Sequence, residues 1–205
     1  MSLMKKDGIG ICEFSDRERE RKVINSFDGK YYFLSNFFQS PVEYEGLIYQ
    51  SSEAAFQAAK TRASFREVGD YLSSFGVSSD ALTDEKMNTL EDMLTMTSRL
   101  AYTRMNPSEA KKYGRRCKLR LDWEDEKIKV MEDIVFNKFQ SNDVLKEKLL
   151  DTGDALLIEG NDWNDKFWGV CNGEGENHLG KILMNVRTML RIEEAVSSTE
   201  TTISR

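Results

Sequence analysis

From Tyr31 the chain turns from polar to YYFLSNFF and then PVEYEGLIYQ, where aromatic and β-branched residues flank Glu45-Gly46. That pattern predicts a short hairpin turned at Glu45-Gly46. The next stretch, SSEAAFQAAK, takes helical spacing, with Ser51 or Ser52 as cap and Glu53 in the first turn, where negative charge is favoured. After a loop around Phe75 to Asp80, Thr83 opens a long helix in which Met87, Leu90, Leu94, Thr97, Ala101 and Met105 recur every three or four residues. Asn106-Pro107 starts another, because proline is tolerated at the first helical position. Between Glu124 and Leu150, Ile128, Met131, Ile134, Val135 and Phe139 share a face, and Ser141-Asn142-Asp143 punctuates the run. Leu156 to Glu159 is a strand candidate. Asn177 is placed to cap a final helix carrying Leu179, Ile182, Leu183, Val186 and Leu190.

These elements predict an α+β fold, a predominantly helical single domain with a few short strands. The 205 residues suffice for one sizeable core and not for two. The domain is expected over 26–196, after a polar extension at 1–25 and before a flexible Ser/Thr-rich tail at 197–205. A composition 40% hydrophobic with only two prolines excludes disordered and collagen-like chains. The formal charge of −6 argues against a globally basic nucleic-acid surface and leaves room only for a local patch. Cys12, Cys117 and Cys171 are odd in number and far apart, so neither a disulfide framework nor a zinc site is expected. With no secretory segment and no run of about eighteen apolar residues, the expected setting is the cytoplasm, without membrane, metal or cofactor.

Chemistry concentrates in three places. At about 100° per residue, Glu53, Gln57 and Lys60 fall within roughly 60° of one another, and Ala or Phe fills the other positions from Ala54 to Ala59. Such a helix is either amphipathic with its polar stripe in water, or buried with the stripe facing a polar cleft. The segment from Glu159 to Gly180 crowds Asp162, Trp163, Asp165, Trp168 and several glycines and asparagines ahead of the last helix. Long loops of that content often bind or catalyse, although Trp163 and Trp168 equally fit core anchors. Lys111, Lys112, Arg115, Arg116, Lys118 and Arg120 form a basic stretch suited to an anion or to a solvated helix face. His178 has no second histidine or cysteine pair beside it to suggest a metal.

Taken together, FLSNF at 33–37, EYEGLIYQSSEAAFQAAK at 43–60, YGRR and LRLDW within 113–123, and DKFWG followed by NHLGKILMNVR resemble the YbiA-like, or NADAR, family over roughly 33–192. The resemblance implies N-glycosidase activity on ribosides bearing a phosphate or diphosphate. Two substrate classes follow from it: riboflavin-synthesis intermediates, which would release ribose 5-phosphate, and ADP-ribose, including ADP-ribose on guanine, with nucleic acid entering only as a modified substrate. Cleaving a C1′–N bond builds positive charge on the sugar and negative charge on the departing heterocycle, so a carboxylate and a proton donor are needed.

On the family motifs, Glu53 would stabilise the cationic sugar or activate water. Lys60 would supply a proton, bind phosphate, or attack C1′ and form a Schiff base. Asp165 would orient ribose hydroxyls or share the acid/base work, and Trp168, with Gly169 beside it in the same motif, would stack on the base. Asn36, Gln57 and Asn177 are expected to bind substrate, and Arg115 and Arg120 to hold phosphate. The chain departs from the family at Ala54-Ala55, where a bulkier pair is usual, at Glu174 and Glu176, where basic residues are common, and in a longer 76–106 segment. The same contacts would serve a non-catalytic NAD or ADP-ribose binder.

Overall fold

A computed structural model describes residues 22–63, 65–79 and 82–203. The expected extension through residue 21, including Cys12, lies outside them. Strands β2 (Gln39–Tyr44) and β3 (Leu47–Ser51) form the antiparallel hairpin, with Val42 opposite Tyr49 and Tyr44 opposite Leu47. Glu45 and Gly46 both take positive φ, +47° and +77°, as a two-residue turn matched to strand twist requires. Alternation sends Ser40, Val42 and Tyr44 inward and leaves Gln39, Pro41 and Glu43 exposed.

Ser51 ends β3 and at once caps helix α1 (Ser52–Ala59), its hydroxyl accepting the Ala54 N–H at 3.2 Å. Every residue of α1 is buried. Four alanines let neighbouring helices approach closely, and α1 packs on the hairpin and on α3 (Asp84–Tyr102), α4 (Pro107–Gly114) and α5 (Trp123–Gln140). Asn106 and Glu109 make a reciprocal capping box at the start of α4, with Pro107 at its first position. A break at Ser141-Asn142 separates α5 from α6 (Asp143–Leu150), which Asn142 caps.

The main core lies where Ile134, Val135 and Phe139 of α5 meet Leu179, Ile182, Leu183, Val186 and Leu190 of the last helix, α7 (His178–Ile203). Two short parallel pairs complete the fold. Strand β1 (Val23–Ile24) pairs with β4 (Leu156–Leu157), and β5 (Gly160–Asn161) with β6 (Val170–Cys171). No helix among the described residues is long and apolar enough to cross a membrane.

Several expectations change. The ordered domain begins before residue 26, since β1 lies at 23–24 with Ile24 buried. It also extends past 196, because no glycine or proline stops α7 before Ile203. Helix α2 (Phe65–Ser73) was missed, as among its described side chains only Val68 and Leu72 are buried and Gly69 interrupts the stripe. In α3 the expected face holds at Met87, Leu90 and Leu94, which are half-buried, and shifts by one residue farther on, where Thr95 and Tyr102 are buried while Thr97 and Ala101 are exposed. Apolar residues lie on both sides of α3, and the Thr95 hydroxyl turns inward to take the Ala63 N–H at 2.9 Å.

Lys138 of α5 is 1% exposed, its Nζ donating to the Ser35 carbonyl at 2.9 Å near the Phe38 and Phe139 rings. Burial pulls its pKa down to about 7 from 10.5. Between those values the unfolded chain binds the extra proton, so this residue makes stability rise with pH across that window. In thermal melts at about pH 6.5, 7.5 and 9, wild type should therefore gain on Lys138→Met as pH rises. A gap that stays constant would show that Lys138 is not neutral inside.

Candidate active site

The buried polar stripe of α1 is the centre of the site. Glu53 is 6% exposed, its backbone N–H donates to the Asn36 carbonyl at 3.0 Å, and its Oε1 accepts from Gln57 Nε2 at 2.7 Å. Burial raises the Glu53 pKa above the usual carboxylate range. The Gln57 hydrogen bond and the charges of Lys111 and Lys60 oppose that rise, and Asp165 adds to it. Asn36 is buried beside this contact, with Nδ2 on the Met131 sulfur at 3.3 Å and Oδ1 without a partner.

The far end of Gln57 sets how closely two helices pass. A Cβ added to Gly114 of α4 would lie 1.8 Å from Gln57 Oε1, so any larger residue there must displace the Gln57 amide. Lys60 follows α1 with its Nζ 5.3 Å from the Phe56 ring centre and 5.9 Å from that of Trp123. Burial lowers its pKa, the charges of Lys111 and Arg115 push the same way, and Glu53 and Cys117 pull it back up.

The basic stretch divides. The Lys111 charge reaches Glu53, Lys60 and Glu159, and its Nζ stands 5.2 Å from the Phe37 ring centre. Arg115, exposed at the end of α4, adds its charge to Lys60. Arg120 is engaged by a neighbour in the chain. Its Nε and Nη2 grip both carboxylate oxygens of Asp122 at 2.6 and 2.7 Å, which occupies the fork an anion would use. Arg116 and Lys118 instead line a neighbouring groove of about 700 Å³ with Arg62, Tyr71 and Tyr102. Cys117 joins the two regions, lining the groove while its thiol interacts with Lys60.

In the β5–β6 loop, Asp165 is clamped by Asn161, whose amide donates to the Asp165 carbonyl at 2.8 Å and accepts its N–H at 3.0 Å. Asp165 Oδ1 takes the backbone N–H groups of Phe167 and Trp168 at 3.2 and 2.9 Å. Trp168 is half-buried and meets Phe56 edge-on at 5.3 Å, so one phenylalanine contacts both the lysine and the tryptophan of the site. Gly169 earns its place sterically, since a Cβ there would lie 2.2 Å from the Glu159 carbonyl oxygen.

Asn177 is not a helix cap. It takes φ +54° and spends its amide on the chain at β4, donating to the Leu157 carbonyl at 2.9 Å and accepting the Glu159 N–H at 3.0 Å. Trp163 is exposed rather than a core anchor. His178 pairs with Glu176 at 2.8 Å and packs on Phe167.

Sequence reasoning missed Glu159. Burial, reinforced by Asp165 and Glu53 and opposed by Lys111, pushes its pKa up to about 7, and its Oε2 is buried without a hydrogen-bond partner. An acidic residue closing a short buried strand, six before Asp165, was the available signal. The site thus gathers Glu53, Asp165 and Glu159 with Lys60 and Lys111 against an aromatic wall. Among the described residues, no group of three His, Cys, Asp or Glu is arranged to hold a metal ion.

The NADAR domain profile matches residues 23–191. The N-glycosidase YbiA of Escherichia coli is 31% identical over 175 residues, covering 84% of this chain and 91% of that protein. Its NMR structure shares the fold with a TM-score of 0.60 at 28% identity, over 86% of this chain and 92% of that one. An N-glycosidase of Nostoc punctiforme is 44% identical over 96 residues, a match spanning 45% of this chain and 60% of that protein. A Vibrio vulnificus protein named for riboflavin biosynthesis is 33% identical over 165 residues, 80% of this chain and 37% of its own length.

The α1–α4 crossing yields a direct test. Gly114→Ala should lower stability by about 1–3 kcal/mol in denaturant melts, because the methyl displaces Gln57. In a Gln57→Ala background the cost of Gly114→Ala should largely vanish, and an equal cost in both backgrounds would show that the two side chains do not collide.

Proposed function

This chain belongs to the NADAR domain family, and we propose that its N-glycosidase reaction is hydrolysis of the C1′–N bond of a phosphorylated N-riboside, with riboflavin-synthesis intermediates as the first substrate class. The observation that carries this reading is Glu53, buried and hydrogen-bonded by Gln57 within reach of Lys60, Lys111 and Asp165. A carboxylate in a water-poor cleft stabilises a developing oxocarbenium ion far better than one in bulk water, and a raised pKa suits it to take a proton from attacking water. Asp165 uses Oδ1 on two backbone N–H groups, and Oδ2 is assigned to the ribose hydroxyls. Trp168, with Phe56 and Trp123, supplies an aromatic wall for the base.

Lys60, partly desolvated against Phe56 and Trp123 and coupled to Glu53, is assigned as the proton donor or attacking amine. Lys111 and Arg115, one turn apart on α4, take the phosphate instead. The name of the Vibrio relative supports the riboflavin-type substrate. The groove beyond Cys117 favours a second reading. Its cations and tyrosines would accommodate the longer diphosphate substrate, ADP-ribose, including ADP-ribose on guanine. A reducing cytoplasm suits the free thiols of Cys117 and Cys171.

Mass spectrometry of purified protein with both substrate classes tests the reading. Ribose 5-phosphate release supports the first class and ADP-ribose release the second. Glu53→Gln should lower kcat by about 100-fold or more while ligand affinity changes less than about threefold. Full activity in that variant would remove Glu53 from the reaction, and binding without turnover in wild type would make the protein a binding module. Borohydride added during turnover should label Lys60 if its amine attacks C1′, and leave it unlabelled if it only moves a proton.

A further inference from the structure

We propose that Glu159 is the proton donor to the departing nitrogen, a third carboxyl working beside Glu53 and Asp165; this rests on the N-riboside hydrolysis set out above. The backbone of Glu159 is fixed at both ends, its N–H on Asn177 Oδ1 at 3.0 Å and its carbonyl on the Val170 N–H at 2.8 Å. Gly169 passes so close to that carbonyl that no side chain fits between them. The backbone of Glu159 is thereby fixed where its carboxyl feels the charges of Asp165 in the β5–β6 loop, Glu53 on α1 and Lys111 on α4.

The hydrogen bonds distinguish the three carboxyls. Asp165 accepts two backbone N–H groups and Glu53 accepts the Gln57 amide. Glu159 Oε2 is buried and receives none. A carboxyl oxygen buried without a donor, beside the like charges of Asp165 and Glu53, favours the protonated form of Glu159. Its pKa near 7 leaves it substantially protonated at neutral pH, where a general acid works best.

The step balances. As the C1′–N bond breaks, its electron pair goes to the nitrogen, which takes the proton from Glu159. Water bonds to C1′ and yields a proton to Glu53, and that proton is returned to Glu159 through solvent before the next turnover. The net reaction is riboside plus water to ribose phosphate plus the protonated base.

The test uses the full chain and the two-class panel. Glu159→Gln should keep the wild-type circular dichroism spectrum and a KM within about threefold, and lose about 100-fold or more in kcat. Wild-type kcat/KM should fall above about pH 7 as Glu159 loses its proton, and the residual rate of Glu159→Gln should lack that alkaline limb. Glu159→Asp, which keeps the acid, should retain the limb at an intermediate rate. Without substrate, the infrared difference between wild type and Glu159→Gln should contain a protonated-carboxyl C=O band at about pH 6 that disappears by about pH 8.5. With wild type active, a Glu159→Gln variant keeping over a third of wild-type kcat, an unchanged alkaline limb, or an absent carboxyl band would each overturn the assignment to Glu159 alone. A wild type silent on the whole panel overturns the N-riboside reading and this assignment with it.

Discussion

A helix with no exposed face must carry its polar side chains inside with it, and the site follows from that constraint on α1. Ala54, Ala55, Ala58 and Ala59 permit close packing on all sides, which leaves Glu53 and Gln57 no route to water. They pair with each other, and the charges of Lys111 and Lys60 support Glu53 while Asp165 opposes it. Each of those comes from a different part of the chain, so the packing that buries α1 also assembles the groups around it.

Much of this was legible because it depended on local chemistry. Glu45-Gly46, the serine ahead of α1, Thr83, and Asn106-Pro107 with Glu109 act through neighbours a few residues away, and the structure uses each as the sequence implies. Illegible features depended on distant partners. The α3 face was ambiguous until Ala63 supplied a partner for Thr95. Asn177 has the chemistry of a cap, yet β4 and Glu159 offer it two backbone groups and win. Arg120 reads as an anion ligand until Asp122, two residues on, occupies it. Glu159 became meaningful only once folding set it against Asp165 and Glu53.

Three unmatched polar atoms lie in or beside the site. Asn36 Oδ1, Gln57 Oε1 and Glu159 Oε2 are buried without partners, and each belongs to a residue on or adjoining the Glu53 cluster. Leaving such an atom unsatisfied costs about 1–3 kcal/mol, which the apolar packing of α5 against α7 offsets elsewhere in the fold. A ligand bringing hydroxyls or a protonated nitrogen to these atoms would recover part of that energy, so the site is under-satisfied in a way that favours a polar, donor-rich guest.

Ser51 belongs to strand and helix at once, with no loop between β3 and α1. A residue inserted between the hairpin turn and Glu53 would therefore have nowhere to bulge out, and would either invert the faces of β3 or rotate α1 by about 100°. Evolutionary changes in chain length must fall elsewhere. The arm formed by α2 and the start of α3 is the natural place, because α2 packs chiefly on α3 rather than on α1. Lineages of this fold can thus lengthen or trim that arm, altering the rim of the cleft, while the position of the central glutamate stays locked to the hairpin register.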